Sequence, residues 1–428
     1  MIFFYRIVTN LLYPILILLI YIRKILEKED PIRFKEKIFS SHFNVQRLEN
    51  KKLIWFHCAS VGELKSIIPI IKEINVGNSD FEFLITTVTL SSANLARSEI
   101  KKINNVSHRF FPIDVHFLIK KFISSWKPNV IFLVDSEIWP NLIISAKRAK
   151  IPIALINARI TRKTFKRWMY VPKLAEKIFR SFDLCLSSNL ETKQFLKNLK
   201  AKNIVNTGNI KLIKSNNLNL PRFEKIKNQK IWCALSTHEG EEKLCIKVHK
   251  ILREKFKNFT TIIAPRHIER SSKIKKLCVE NNLNVQIIGK DNNFSFDKEV
   301  VIINSFGILF EFLLKSRSVF IGKSTLKRLE NDSGQSPIEP AQLGCRIYHG
   351  PYVSNFKDIY EILNKNKIAK EINTYEELSN NLMEDFEKKI EKKPSLFMQD
   401  LSEKTLENTM KYLNKFLSNE NIKTEILE

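Results

Sequence analysis

From about residue 50 onward the chain repeats one pattern. A short run of β-branched and aromatic residues is followed by a longer stretch whose apolar positions recur at helical spacing. The runs fall at 53–56, 81–86, 130–134, 153–156, 183–186 and 204–206, then at 231–235, 260–264, 285–288, 300–303, 319–321 and 346–348. Strand–helix alternation of this kind predicts α/β domains built on parallel sheets with helices on both faces. The polar stretch 215–230 (SNNLNLPRFEKIKNQK) divides the series. Two doubly wound, Rossmann-like domains joined near residue 220 are expected, with a central cleft where strand C-termini face each other. The tail beyond Thr374 reads as helical and acidic, and no internal repeat is present.

The N-terminus follows a different pattern. Residues 2–22 read IFFYRIVTNLLYPILILLIYI, which as a helix extends about 31 Å, close to the ~30 Å hydrocarbon thickness of a bilayer. Arg6 can snorkel at one end, but Asn10 and Pro14 weaken the centre, so a spanning helix and a shallow interfacial helix compete. Ile22-Arg23-Lys24-Ile25 offers no small-residue cleavage site, against a signal peptide. Arg23, Lys24, Lys28, Arg33, Lys35 and Lys37 follow, a bias that keeps the body on the cytoplasmic face of a membrane. The expected division is an anchor at 1–30, a first domain at 31–215, and a second at 216–428 that includes the C-terminal helices.

Charge then narrows the function classes. The 428 residues carry a formal net charge of +26, and hydrophobic residues at 44% exclude a disordered chain. The excess is regional: residues 101–200 hold 20 Lys and Arg against 6 Asp and Glu, whereas 351–428 hold 12 against 15. Its densest run is Arg159, Arg162, Lys163, Lys166, Arg167, Lys173, Lys177 and Arg180, interleaved with Phe165, Trp168, Met169 and Tyr170. That run is either a solvated helix face or a surface for an anionic, partly apolar partner. Nucleic acid fits least, because no recognition module accompanies it. The 6 cysteines contain no Cys-x-x-Cys pair, which points to reduced thiols and away from a disulfide scaffold or a zinc site.

Candidate chemistry sits where strands end. Ser60-Val61-Gly62-Glu63 follows the first run and opens a helix, so Glu63 is a candidate base or a first-turn acid that complements the helix dipole. Asp135-Ser136-Glu137-Ile138-Trp139-Pro140 brings a second carboxylate, Glu137, to another strand end, and Lys211 after Gly208-Asn209-Ile210 brings a cation. In Ser236-Thr237-His238-Glu239-Gly240-Glu241-Glu242 a hydroxyl is expected to cap the next helix, although capping does not call for His238. Pro265-Arg266-His267 suits a phosphate, and Gly334-Gln335-Ser336-Pro337-Ile338-Glu339-Pro340 opens a short helix whose N–H groups can face an anion, with Glu339 able to take ribose hydroxyls. With only 10 glycines in the chain, each is expected where a Cβ would intrude; eight fall in small polar clusters after strands, where backbone can approach a ligand, although Gly322 and Gly344 read as ordinary βα-turn glycines, and Gly77 and Gly289 as ordinary turns. No Asp-x-Asp, Gly-x-Gly-x-x-Gly or Gly-x-x-x-x-Gly-Lys-Ser/Thr occurs.

The segments IWFHCASVGEL, DSEIWPNL, NARIT, TGNIK, LSTHEGEE, APRH and SPIEPAQLG occur in an order that resembles the 3-deoxy-D-manno-octulosonic acid (Kdo) transferases of Gram-negative bacteria. The resemblance runs from about residue 31 to 360. It implies a GT-B glycosyltransferase of lipopolysaccharide synthesis on the cytoplasmic face of the inner membrane, moving Kdo from CMP-Kdo to a lipid A precursor (lipid IVA) with inversion. No cofactor and no metal are implied. By the same resemblance Glu63 is the base, and Glu137 and Lys211 stabilise the transition state. Pro265, Arg266, Phe306, Gly307, Ile308, Ser336, Pro337, Ile338 and Glu339 hold CMP. A phosphorylated, acylated acceptor and an anionic membrane surface give Arg159, Arg162, Lys163, Lys166 and Arg167 partners. The chain departs from the family pattern at Ser333-Gly334-Gln335-Ser336-Pro337, at Gly307-Ile308-Leu309 and at Gly322-Lys323-Ser324, where Lys323 offers a replacement cation. Two other readings stand beside this one: a GT-B enzyme that uses a UDP-sugar, and a non-catalytic member that binds anionic lipid. Self-association is not legible in the residues.

Overall fold

Strands form at the apolar runs because each run serves two cores at once. In β1 (Lys52–His57), Leu53 and Trp55 pack with Leu118, Ile119 and Phe122, while Ile54 and Phe56 pack on the other side with Leu64, Ile67 and Ile71. Side chains alternate across a strand, so a run apolar at every position is covered on both faces.

The computed structural model describes residues 2–48, 50–76, 80–103, 105–214, 230–289, 297–305, 308–388 and 393–418. The polar stretch singled out at 215–230 therefore lies outside the described residues as far as 229. Contacts divide the chain into two units, Met1–Asn217 with Leu401–Glu428, and Leu218–Asp400. In the first, β1 is joined by β2 (Phe81–Thr87), β3 (Val106–Phe110), β4 (Val130–Val134), β5 (Ile153–Ala158), β6 (Leu184–Ser187) and β7 (Ile204–Asn206). In the second stand β8 (Lys230–Thr237), β9 (Phe259–Pro265), β10 (Val285–Ile288), β11 (Val300–Ile303), β12 (Ser318–Ile321), β13 (Arg346–His349) and β14 (Ala369–Glu371). Among the described residues these make two seven-stranded parallel sheets, ordered β3-β2-β1-β4-β5-β6-β7 and β10-β11-β9-β8-β12-β13-β14. The chain carries two α/β units of GT-B type and an N-terminal apolar helix.

Each strand order reverses beside its first strand, between β1 and β4 and between β8 and β12. Open parallel sheets bind ligands at the carboxyl ends of strands at such reversals.

The structure adds two strands to those the pattern marks, β3 and β14, and both are sheet edges. The β3 run Val-Ser-His-Arg-Phe mixes polar with apolar residues because an edge strand is only partly covered. β14 is three residues long, too short for a pattern to register. A further difference concerns the C-terminus, assigned from the sequence to a domain 216–428. The helix Leu396–Leu417 instead ends in the first unit, where Met410, Leu413 and Phe416 cover the face of the sheet around Phe132. The Phe416 and Phe132 ring centroids are 6.0 Å apart. Burial of that otherwise open face is the force that draws the chain back.

The helix α1 (Ile2–Ile25) runs unbroken through Pro14, with a mean hydropathy of 1.9 in its most apolar stretch. All six cysteines are free and buried.

Candidate active site

The first unit gathers its ionisable groups at the reversal point. β1 ends at His57, and the chain turns through Ala59 and Ser60 into α2 (Val61–Asn75). Ser60 caps that helix, accepting the N–H of Glu63, and donates its hydroxyl to Glu63 Oε1 at 2.8 Å. Glu63 Oε2 accepts the N–H of Ala59 at 2.7 Å. This reciprocal cap fixes the carboxylate. Burial pushes the Glu63 carboxyl up to about 7, and the negative charges of Asp135 and Glu137 push in the same direction against the Ser60 and Ala59 hydrogen bonds. Against the expectation that a Cβ would intrude at Gly62, one placed there would meet nothing within 4 Å.

β4 supplies the facing groups. Asp135 follows it with φ 57° and receives Lys211 Nζ and Asn157 Nδ2. Asn157 lies at a register shift in β5 with φ 53°, and its Oδ1 accepts the N–H of Ile210 at 2.9 Å. The bulge turns this side chain toward the site. Lys211 is thus held from two directions, by Asp135 at its ammonium and by Asn209 at its backbone N–H.

Glu137 Oε2 accepts the indole N–H of Trp139 at 2.8 Å and lies 3.2 Å from His57 Nε2. Burial pushes the Glu137 carboxyl up, but the His57 and Trp139 hydrogen bonds and the His57 charge outweigh it and hold the group below its ordinary value. His57 is fully buried and stacks on Phe111 at 3.9 Å, and its Nδ1 lies 3.0 Å from Thr86 Oγ1. Both ring nitrogens of His57 therefore have a hydrogen-bond partner, Thr86 on one side and Glu137 on the other. The structure therefore brings Glu63, Glu137 and Lys211 together and adds Asp135, Asn157 and His57. All three additions stand inside quoted segments, DSEIWPNL, NARIT and IWFHCASVGEL, but a sequence motif does not show which side chain turns inward.

In the second unit the expected donor residues also follow strand ends. Pro265 closes β9 and is buried, while Arg266 is exposed and its N–H donates to the Thr237 carbonyl at 3.1 Å. Phe306 and Gly307 lie outside the described residues, and Ile308 precedes the helix Leu309–Lys315 that follows β11. Ser336 and Glu339 are exposed, whereas Pro337 and Ile338 are buried at the start of the short helix Ile338–Gln342. Gly334 has φ +82°, and a Cβ there would stand 2.9 Å from Val353 Cα, so the turn before this helix requires glycine.

Two expectations are corrected in this unit. Neither Ser236 nor Thr237 caps the next helix: Gly240 is its N-cap, and Glu241 reaches back to the His238 N–H at 2.9 Å. The same buried carboxylate accepts the N–H groups of Lys323, Ser324 and Thr325 and the Thr325 hydroxyl, at 2.7–3.2 Å. It therefore fills the amide cluster after β12 that an anion would otherwise use, and it leaves Gly322 no room for a Cβ, which would meet Glu241 Oε2 at 2.7 Å. Lys323 stands at φ 58° and pairs with Asp332 at 2.9 Å, so its charge is already partnered. Nothing lies within 4 Å of the Cβ position of Gly289. The His238 ring accepts no capping role; its Nδ1 lies 3.0 Å from the Ser236 carbonyl, and burial lowers its pKa.

The basic run forms two short helices, Arg162–Met169 and Pro172–Phe179. Phe165 stacks on Phe195 at 4.5 Å and Trp168 meets Phe179 edge-on, so these rings fix the helices to the body. Arg162, Lys163, Lys166 and Arg167 are exposed beside Met169 and Tyr170, with Arg162 paired to Glu191, while Arg159 is half-buried.

Residues 33–213 match the family model described as 3-deoxy-D-manno-octulosonic-acid transferase (kdotransferase). A 3-deoxy-D-manno-octulosonic acid transferase of Rickettsia bellii is 29% identical over 383 residues, covering 88% of this chain and 89% of that one. A probable mitochondrial 3-deoxy-D-manno-octulosonic acid transferase of Arabidopsis thaliana is 29% identical, with 73% of this chain and 71% of that one covered. In fold, the chain is similar to a glycosyltransferase from Rickettsia africae, with a TM-score of 0.55 at 12% identity, covering 86% of this chain and 100% of that one. Its fold is also similar to that of a UDP-GlcNAc 2-epimerase from Neisseria meningitidis, with a TM-score of 0.54 at 14% identity over 86% of this chain and 100% of the other. The chain is thus similar to the 3-deoxy-D-manno-octulosonic acid transferases over most of its length, and it matches their family model across the residues that hold Glu63, Glu137 and Lys211.

Proposed function

We propose that this chain is a glycosyltransferase that moves Kdo from CMP-Kdo to a hydroxyl of a lipid A precursor (lipid IVA), with inversion, without a metal, at the cytoplasmic face of the inner membrane. The observation that carries the reading is Glu63, a buried carboxyl raised to about 7 at the reversal point of the first sheet. Such a group is half ionised at neutral pH and basic enough to take a proton from an attacking hydroxyl. As the acceptor oxygen bonds to the anomeric carbon, its proton passes to Glu63. The carbon–oxygen bond to the phosphate breaks, and CMP leaves with the electron pair. Glu137, held ionised by His57 and Trp139, and Lys211, held by Asp135, stabilise the charge that develops. Exposed Arg266 suits the phosphate of CMP, and Glu339 the ribose, with Pro265, Ile308, Ser336, Pro337 and Ile338 shaping that surface and Phe306 and Gly307 assigned to it by resemblance. The exposed cations at Arg162, Lys163, Lys166 and Arg167, with Arg159, serve the acceptor phosphates or the anionic leaflet, and α1 attaches the chain to the membrane.

CMP release from CMP-Kdo in the presence of the lipid acceptor and a chelator tests the proposal. Turnover that persists with the chelator supports it. Turnover only with a UDP-sugar, or lipid binding with no turnover, selects one of the other two readings. Calorimetry with CMP tests the donor assignment, since Arg266→Ala should weaken binding at least tenfold.

A further inference from the structure

Although α1 is long and apolar enough to cross a bilayer, it is in contact with the first unit from end to end. The side chains that lose solvent are Ile2, Tyr5, Arg6, Thr9, Tyr13, Leu16, Ile20 and Lys24 among their neighbours, spaced by three and four, which is one face of a helix. Ile2 and Leu16 pack on the core cluster around Leu118 and Phe122. Tyr5 donates to Asp114 Oδ2 at 3.0 Å, Arg6 to Asn141 Oδ1 at 3.4 Å, and Asn141 Nδ2 to Thr9 Oγ1 at 3.4 Å. Tyr13 donates to the Ile38 carbonyl and meets Phe117 edge-on at 5.1 Å. Tyr21 packs edge-on against Phe34 at 5.1 Å, and Lys24 lies over the same ring. These contacts run from Ile2 to Lys24, a length of about 33 Å along a helix. A helix held over that distance by a folded unit has no free length with which to cross a bilayer.

The opposite face is apolar and uncovered. Phe4 is 70% exposed, Leu11 73%, Leu18 60% and Ile25 78%, with Ile15 and Ile22 between them. The position of the polar interruptions decides between orientations. Asn10 and Pro14 both face outward at the middle of the helix, and Pro14 has no N–H to offer the Asn10 carbonyl. Spanning would place that carbonyl and amide at the centre of the hydrocarbon, where no water reaches them. At the headgroup boundary both remain hydrated. Cations flank the helix: Arg148 acts electrostatically on Arg6, Arg148 and Lys120 act on His116, and Arg23 and Lys28 are exposed at its C-terminal end.

We propose that α1 lies in the plane of the membrane, docked lengthwise on the first unit through its Tyr5–Arg6–Thr9–Tyr13 face, with the Phe4–Leu11–Leu18–Ile25 face sunk into the interface of an anionic bilayer. This rests on the membrane attachment proposed above and gives it a geometry. The apolar face supplies depth, and the cations that flank the helix select lipid of net negative charge.

The full chain, carrying one protease-cleavable tag at each terminus, is expressed in bacterial cells and examined in spheroplasts and in inverted membrane vesicles. Both tags should be protected in spheroplasts and cut at equal rates in inverted vesicles. An N-terminal tag cut in spheroplasts while the C-terminal tag is protected overturns the in-plane geometry and leaves attachment standing. Protein absent from the membrane fraction overturns attachment as well. With purified full-length protein and phosphatidylglycerol vesicles, Leu11→Glu and Leu18→Glu should each weaken association at least tenfold, and phosphatidylcholine vesicles should bind far less. Quenching by shallow nitroxide lipids should be equal for Phe4→Trp and Leu18→Trp once the parent signal is subtracted. A deep position for Leu11→Trp between two shallow ends marks a spanning helix and refutes the proposal.

Discussion

Glu63 and Glu241 hold corresponding places in the two units. Each is a buried acid at the start of the helix that follows the first strand of its sheet, beside the point where strand order reverses. Their surroundings differ. Glu63 has an N–H, a hydroxyl and two neighbouring negative charges, and its carboxyl rises to about 7. Glu241 has four N–H groups and a hydroxyl, drawn from the ends of both β8 and β12. One fold position thus holds a carboxyl raised toward neutrality in one unit and a structural clasp in the other. Burial and the Asp135 charge raise Glu63, whereas the donors around Glu241 tie two strand ends to one carboxylate.

The contrast breaks most sharply at Glu63→Gln, which keeps the shape and removes the basicity. Turnover should fall by about 10² to 10⁴, with CMP affinity unchanged. Retention of more than about a tenth of the wild-type rate would move the base elsewhere. Glu241→Gln should act on stability instead, costing about 3 kcal/mol as charge-assisted hydrogen bonds become neutral or are lost. Denaturant titration of the purified protein reads that loss, and an unchanged midpoint would end the description of Glu241 as a clasp.

His57 gives a smaller test. His57→Ala removes a donor to Glu137, so kcat should fall roughly tenfold while KM holds. The ascending limb of the pH–rate profile should keep its midpoint if Glu63, as proposed, is the group that titrates there. His57→Gln, which can still donate, should recover part of the rate. A change confined to thermal stability would make His57 a packing residue.

The smallest effect is a pH dependence of stability. Glu63 is raised in the fold from 4.5 to about 7, so its contribution to stability is fully present below pH 4.5 and lost as pH rises through about 7. The advantage of Glu63→Gln over the wild type in thermal melts should therefore grow from pH 5 to pH 8. Activity should rise over the same interval as the carboxylate forms. A constant offset across that range would mean that the group is not raised.

What the sequence shows depends on how many neighbours a residue needs. Twelve apolar runs became strands because burial on both faces demands apolar residues at consecutive positions. The two strands that escaped notice, β3 and β14, lie at edges, where one side of the ladder is open and the demand is relaxed. Glu63 and Glu137 were legible as acids at strand ends. The roles of His57 and Asn157 were not, since each depends on a partner 80 or 53 positions away along the chain. The amide cluster that Glu241 occupies is of the same kind. Its donors are backbone groups, and a sequence carries no mark for those.

The last helix has a consequence for how the protein is made. Met410, Leu413 and Phe416 close a core whose other buried members, from Ile54 to Ile213, are all in the first half of the chain. Gly208 packs near Thr405, and the Lys214 N–H donates to Ser402, so the exit from the first unit is finished by the same late segment. During synthesis the whole of Leu218–Asp400 emerges first. At roughly 5–20 residues per second the ribosome leaves an apolar sheet face uncovered for on the order of 10–40 s. The nascent first unit therefore waits, sheet assembled and one side open, for the final turn of a helix not yet translated.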